Sequence, residues 1–582
     1  MKGKNGVRPH GFLRGAAILT AGVLVVKFLG AVFKIPLNWI IQEDGMGYFT
    51  TAYSFYSPIY SLATAGFPIA ISRMVSAGIA RGRFREVRQV HRVSVFLFLL
   101  TGLLGTALML LGAGWYVEAV GNPGALPAMV LLAPSILFSC LSAIYRGYYE
   151  GLRNMTPTAV SQILEALCRL GLGLFGSFWV LQTAQEEYAA LGTVFGQEAS
   201  SWEQARAVAL PWAAAGAVAG VTAGAAVSFL FLLLRHKLRG DGLGKESLTA
   251  SPAPRKARST AARLLKTALP IGLGAVAVNI AGLVDTTFLQ GRVGEILVQR
   301  PGPLLEMYRG MIPDYNLQHM ETIPNFLFGC YANAHTLFMV IPAVTQAFGV
   351  SALPNVTTAW ASGNPRRLKG SMETVLRMTS LFSLPAGIGL AVLAGPLSSL
   401  LFGSGGAAPI VARVLPVMAA GAVFASMSTP LQSMLQAVGR ADIPVKLLAA
   451  ALLLKTFLSY WLTGIPELNI MGAAIGTLAC YLFMMVGSLI ALCRVTGLVP
   501  RQVFWKPLAA AALCGAAAWG CQRFLENLLP GHSVITLVSV SVAAVFYAVC
   551  LVFMGLLKSE EIARLPGGQK ILKILEKRPE SE

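Results

Sequence analysis

Lys27 and Lys34 stand seven residues apart in the first apolar stretch of the chain, two helical turns on one face, with Gly30 between them. Glu165 and Arg169, four apart in a later apolar stretch, likewise share a helix face. Inside hydrocarbon each such charge costs about 2.5–3.5 kcal/mol unless it faces water or a partner. Three cations against one acid in the first half of the chain therefore call for a hydrated cavity, and the chemistry such a cavity offers is capture of an anionic group. Arg73 and Arg146 lie at helix ends; facing the same lumen they would extend it into a cationic funnel. Plainer readings exist for each. Either lysine could snorkel to an interface, Glu165 and Arg169 could simply neutralise one another, and retention of positive residues at inner helix ends accounts equally for Arg73 and Arg146. Farther along, Asp285 and Lys455 are the deep charges of the second half. Asp285 is either a Na⁺ or proton site or the partner of Lys455 in a lock between states.

The elements that must position these residues are membrane helices. Of 582 residues only 12% are charged while 55% are hydrophobic, and the mean hydropathy is +0.65. A formal charge of +20 would suggest a nucleic-acid partner in a soluble chain, but so apolar a composition excludes that reading. The eight cysteines lie almost all in apolar runs without CxxC spacing and read as small buried hydrophobes. Apolar segments of about 20 residues or more, the length that crosses a bilayer core, recur fourteen times, among them 12–41, 46–74, 157–182, 264–290 and 326–358. The apolar run behind the basic N-terminus has no cleavage-type site and is expected to remain as the first membrane helix. The sixth segment carries Gly216, Gly220 and Gly224, a small-residue ladder for close helix packing.

Sorting Lys and Arg between alternate loops sets the orientation. With the N-terminus inside, 36 of the 46 basic residues fall on the inner side and only five in outer loops. Both termini are thus expected to face the cytoplasm. The expected organisation is an N-terminal six-helix bundle over 12–234, a flexible basic cytoplasmic linker over 235–263, a C-terminal six-helix bundle over 264–494, an appended helix pair over 503–557 and a cytoplasmic tail over 558–582. Arg153 to Pro157 and Arg440 to Pro444 repeat one spacing after corresponding helices, as in transporters built from related halves. No GxxxxGK[ST] loop is present, so transport would draw on ion gradients or the membrane potential, with Na⁺ or H⁺ as the coupling ion if there is one and no other cofactor.

Several local motifs carry a resemblance. Lys27-Phe-Leu-Gly30, Phe33-Lys-Ile-Pro-Leu37, Gly45-Met-Gly-Tyr48, Ala65-Gly-Phe-Pro-Ile-Ala-Ile-Ser-Arg73, Arg146-Gly-Tyr-Tyr-Glu-Gly-Leu-Arg-Asn-Met-Thr-Pro157, Gln162-Ile-Leu-Glu165 to Arg169, and Ile341-Pro-Ala to Leu353-Pro-Asn355 resemble the stage V sporulation protein B family. That family belongs to the multidrug/oligosaccharidyl-lipid/polysaccharide (MOP) exporter superfamily and is related to the lipid II flippase MurJ. The resemblance implies an all-α polytopic fold of about fourteen transmembrane helices, with two six-helix bundles around a V-shaped cavity. It also implies alternating access, residence in the bacterial cell membrane, a polyprenyl-diphosphate-linked glycan such as undecaprenyl-linked peptidoglycan lipid II as substrate, and action as a monomer. By motif position, Lys27 and Lys34 fall where the family commonly carries cavity-facing basic residues.

Two other functions are distinguishable. A drug/cation antiporter of the same superfamily would place acids, not Lys27, Lys34 and Arg169, in its N-terminal lumen. A polymerase or ligase of lipid-linked sugars would need convergent catalytic groups, whereas Glu306, Asp314, His319 and Glu321 are scattered over the irregular segment 291–325. The expectation is a transporter and not an enzyme.

Overall fold

A computed structural model describes residues 12–556 apart from 65, 404–406, 501–502 and 529–533; the expected tail 558–582 lies outside the described residues. The helices in chain order are α1 (Phe12–Thr64), α2 (Gly66–Ala80), α3 (Phe84–Val120), α4 (Leu126–Leu132), α5 (Pro134–Gly151), α6 (Thr156–Leu191), α7 (Trp202–Arg239), α8 (Lys245–Thr249), α9 (Ala257–Gln299), α10 (Pro301–Met307), α11 (Asp314–Gln318), α12 (Ile323–Ala361), α13 (Pro365–Val392), α14 (Ala394–Phe402), α15 (Ala407–Ala437), α16 (Asp442–Thr463), α17 (Ile470–Thr496), α18 (Trp505–Leu528) and α19 (Val534–Phe553). A two-residue antiparallel pair, Thr193–Val194 with Gln197–Glu198, closes the turn between α6 and α7.

Among the described residues twelve helical stretches are long and apolar enough to cross a membrane. The chain is an all-α polytopic membrane protein. One stretch, Ala21–Ala80, is 60 residues long and takes in the expected span 46–74 and the part of 12–41 from residue 21 onward. At 1.5 Å per residue it would reach about 90 Å if straight, three bilayer cores. It is not straight: Gln42 takes φ 52°, ψ −163°, which breaks the α-helical path inside α1. The expected span 264–290 falls within α9, which is not among the twelve; its second half carries Asn279, Asp285 and Gln290, polar groups that need protein around them.

The outward faces fit a lipid solvent. On α3, Phe96, Leu100, Leu104, Leu108, Leu111 and Trp115 form an exposed stripe, Leu111 at 84%, while Phe98, Gly102, Gly105, Met109 and Ala113 on the other face are buried. In water such a stripe would be an aggregation surface; in a bilayer it is the contact with acyl chains.

Contacts divide the chain into two compact units. The first comprises residues up to Thr336, Leu401–Val414 and Leu448–Cys480; the second comprises Leu337–Leu400, Leu415–Leu447 and Tyr481 onward. In the first, the glycine ladder of α7 lies against α6. A Cβ on Gly216 would meet the Gly176 backbone at 2.7 Å, on Gly220 the Gly173 nitrogen at 2.3 Å and on Gly224 the Glu165 carbonyl at 2.7 Å. The kinked middle of α1 crosses the start of α12 as closely, since a Cβ on Gly329 would collide with the Glu43 carbonyl and one on Gly47 would reach the Asn325 carbonyl at 2.5 Å. In the second unit, α18 and α19 pack beside α13, with the Tyr547 hydroxyl donating to the Leu381 carbonyl at 2.7 Å.

The linker differs from the flexible 235–263 segment expected. Helix α7 runs on to Arg239 and α9 begins at Ala257, so only 240–256 connects them, and this stretch is strapped to the start of α3. Arg88 forks onto both oxygens of Asp241 at 3.0 and 3.2 Å. The Arg85 guanidinium donates to the Leu248 carbonyl at 2.8 Å. Glu86 gathers Arg83, Arg255 and Arg263 at 3.2, 3.8 and 2.9 Å. The positive surplus of the linker thus meets one carboxylate on α3, and several shared charges fix a strap where composition alone suggested a free chain. Burial alone would raise the Asp241 carboxyl, but the Arg88 fork, the Leu243 N–H and the Tyr148 hydroxyl outweigh it and hold it below the usual carboxylate range.

Candidate functional site

In the first unit three charges expected from sequence come together. Arg146 on α5 donates through Nη2 to Glu165 Oε2 at 2.7 Å and to Ser228 Oγ at 2.8 Å, and through Nε to Ser161 Oγ at 3.0 Å. Arg169, one turn from Glu165 on α6, approaches the other carboxylate oxygen only to 3.6 Å, longer than a hydrogen bond. Its buried Nε has no hydrogen-bond partner. Glu165 is therefore hydrogen-bonded mainly by Arg146, and Arg169 shares its charge with that carboxylate without a hydrogen bond, so the site holds two guanidinium groups against one carboxylate.

Arg169 and Glu165 line a cavity of about 360 Å³ whose opposite wall is α1, with Tyr53, Tyr56, Ser57, Tyr60 and Ser61 facing in. Neighbouring tyrosine rings lie 5.7 Å (Tyr53–Tyr56) and 5.2 Å (Tyr56–Tyr60) apart. From α9, Asn279 reaches in and donates to Ser61 Oγ at 2.7 Å. The lining thus offers hydroxyls, an amide, aromatic faces and one cation only loosely paired with Glu165 within a helix bundle, which suits a polar anionic ligand with ring or sugar surfaces.

Helix α1, which carries the two lysines, packs beside α6, which carries Glu165 and Arg169. Gly22 abuts Ala159 and Phe33 abuts Gly173, so α1 and α6 run side by side and Lys27 comes alongside the Glu165–Arg169 turn. Lys27 is half-buried. Lys34 donates to Thr336 Oγ1 at 3.4 Å. A Cβ placed on Gly30, between them, would meet nothing within 4 Å. Arg73 is exposed on α2, and no contact joins it to the trio among the described residues.

Asp285 and Lys455 form a separate pair in the same unit. Lys455 Nζ lies 2.8 Å from Asp285 Oδ2, with both side chains 5% exposed. The Tyr331 hydroxyl donates to the same oxygen at 2.9 Å, and Asp285 Oδ1 has no partner.

Sequence reasoning did not place Tyr53, Tyr56 and Tyr60 at the site, nor the partnership of Arg146 with Glu165. The tyrosines did leave a signal: Tyr53, Tyr56, Ser57, Tyr60 and Ser61 recur at i, i+3, i+4, i+7 and i+8, a hydroxyl stripe on one helix face. The scattered Glu306, Asp314, His319 and Glu321 do not form a shared cluster; of that segment, Asn316 turns into the bundle and donates to Asp44 at 3.3 Å. No group of three or more metal-ligating side chains occurs among the described residues.

Comparison with known proteins agrees with this architecture. Residues 12–201 match the polysaccharide biosynthesis protein family and residues 329–461 the MatE family. The lipid II flippase MurJ of Bacillus subtilis (strain 168) is 23% identical over 95% of this chain and 97% of its own length. Stage V sporulation protein B of the same organism is 24% identical over 95% of this chain and 98% of its own. Over nearly its whole length the chain is similar to these two proteins. The fold is shared with a solved structure of lipid II flippase MurJ in an inward closed conformation, at a TM-score of 0.62 and 12% identity over 92% of this chain and 98% of that one.

Proposed function

We propose that the chain flips a polyprenyl-diphosphate-linked cell-wall precursor, with undecaprenyl-linked lipid II as its substrate. The observation that carries this reading is the pair of guanidinium groups, Arg146 and Arg169, set against the one Glu165 carboxylate at a polar cavity within a membrane-spanning bundle. A diphosphate is the anion that several fixed cations in a wet cavity suit, while its prenyl tail stays in lipid. Lys27 and Lys34, on the neighbouring α1, supply further positive charge along the path. The similarity to the MurJ flippase over nearly the whole chain supports the same substrate class.

Outward movement of a head group with two negative charges against an inside-negative potential gains about 4–5 kcal/mol per 100 mV, so the cavity and the potential suffice without ATP. In this reading the protein is a monomer of about fourteen crossings in the bacterial cytoplasmic membrane, with both termini inside, and performs no covalent chemistry. Asp285 acts as a lock with Lys455: the tethered ammonium already fills the position a coupling Na⁺ or proton would take on Oδ2.

One observation favours the antiporter alternative. The Tyr53, Tyr56 and Tyr60 wall offers ring faces to an organic cation. Two arginines against one glutamate oppose that ligand, and the same rings can stack on sugar. The test is rescue of a bacterium depleted of its lipid II flippase, read as exposure of lipid II on the outer surface. Rescue supports the reading; failure to rescue, with tolerance to cationic dyes gained instead, overturns it.

A further inference from the structure

A second cleft, of about 350 Å³, opens where α3 begins and α7 ends, away from the Arg169 cavity. Arg88, His91 and Arg92 stand at i, i+3 and i+4 on one face of α3, and His236 and Gly240 close the cleft from the end of α7. The imidazoles of His91 and His236 stack at 4.8 Å with 17° between their planes. His91 Nε2 has no hydrogen-bond partner, and His236 uses Nδ1 on the Tyr149 hydroxyl at 3.2 Å. Arg92 makes no ion pair among the described residues. Two arginines and two imidazoles thus surround a space in which the chain supplies one carboxylate, Asp241.

That carboxylate shows how the cleft holds an oxyanion. Asp241 sits in the fork of Arg88 and accepts from the Tyr148 hydroxyl at 3.1 Å and from the Leu243 N–H at 3.0 Å. It occupies the Arg88 end and leaves Arg92 and the imidazoles without an anion. Along α3 the face of Arg92 and Val95 continues into Leu99 and Leu103, 41% and 49% exposed. A basic end passing directly into an exposed apolar stripe matches an anionic head with chains behind it.

We propose that this cleft is a binding site for a phosphate-class oxyanion, held by Arg92, His91 and His236, for which Asp241 is the chain's own competitor on Arg88. A phospholipid head group and a soluble phosphate share this chemistry. The two sources are separated by titrating the full-length protein, purified in phosphate-free maltoside detergent, with inorganic phosphate and with dioctanoyl phosphatidic acid, by isothermal calorimetry.

Saturable binding of either probe is expected, about tenfold weaker in Arg92→Ala combined with His91→Gln, as for one lost charge-assisted hydrogen bond. Asp241→Asn is expected to act in the opposite direction and tighten binding several-fold by freeing Arg88. This gain of affinity cannot come from a misfolded variant. Binding of phosphatidic acid alone assigns the site to a lipid head group, and equal binding of inorganic phosphate to a soluble ligand. If neither probe saturates, if the double variant binds like the native chain, or if Asp241→Asn weakens binding, the proposal is wrong.

Discussion

The Asp285–Lys455 pair gives the sharpest energetic test. Both side chains are 5% exposed, their closest atoms 2.8 Å apart, so solvent screens neither. Lys455→Met would leave Asp285 with the Tyr331 hydroxyl on one oxygen and nothing on the other. Removing one partner of such a pair costs about 3–5 kcal/mol, because the remaining charge stays buried. Asp285→Asn is expected to cost as much, by stranding the ammonium. The double variant removes both charges and keeps Tyr331 as a partner for Asn, so it should lie within about 1–2 kcal/mol of the native protein. The coupling energy is then at least about 3 kcal/mol, measurable by denaturant unfolding in mixed micelles followed by tryptophan fluorescence. Additive single effects, or singles each below about 1 kcal/mol, would refute the pairing. A lock makes one further demand: the double variant should retain its fold while its transport rate changes.

Lys27→Ala with Lys34→Ala should abolish flipping while membrane insertion and detergent-extracted yield stay native, read by precursor accumulation in a flippase-depleted strain; full function would remove both lysines from the path. Gly220→Ala places a Cβ 2.3 Å from the Gly173 nitrogen, and should separate α6 from α7 at a cost of about 1–3 kcal/mol, seen as a fall of several degrees in the unfolding midpoint. Because the folded Asp241 carboxyl lies below the usual carboxylate range, the docking it supports is fully present above the unfolded value of about 4 and is lost as pH falls through the lower folded value. Protease cleavage within 240–256 should therefore rise only in acid.

Where the sequence was informative, one short physical rule connected residues on one element. The seven-residue spacing of Lys27 and Lys34, the four-residue spacing of Glu165 and Arg169 and the Gly216–Gly220–Gly224 ladder all follow from helical period, and the last two lie as that period requires. Relations across elements were less legible. Arg146 and Glu165 sit 19 positions apart across a turn, and nothing in either neighbourhood distinguishes a positive-inside arginine from a paired one. Asp285 and Lys455 are separated by 170 positions; their burial could be read from the cost of lone charges, whereas the choice between an ion site and a pair needed the distance. The docked linker was missed because composition reports charge, not the Glu86 and Asp241 carboxylates that collect it.

The central claim is that the positive charge of the Arg169 cavity carries an anionic lipid-linked head group. Purified protein in proteoliposomes, with fluorescent lipid II and an enzyme or quencher reporting its appearance in the opposite leaflet, measures this directly. The native chain should move lipid II, and Arg169→Gln should slow it by at least about tenfold, the cost of one charge-assisted contact, while leaving the unfolding midpoint nearly unchanged. Transport of lipid II at the native rate by Arg169→Gln, or none by the native protein, would contradict the account.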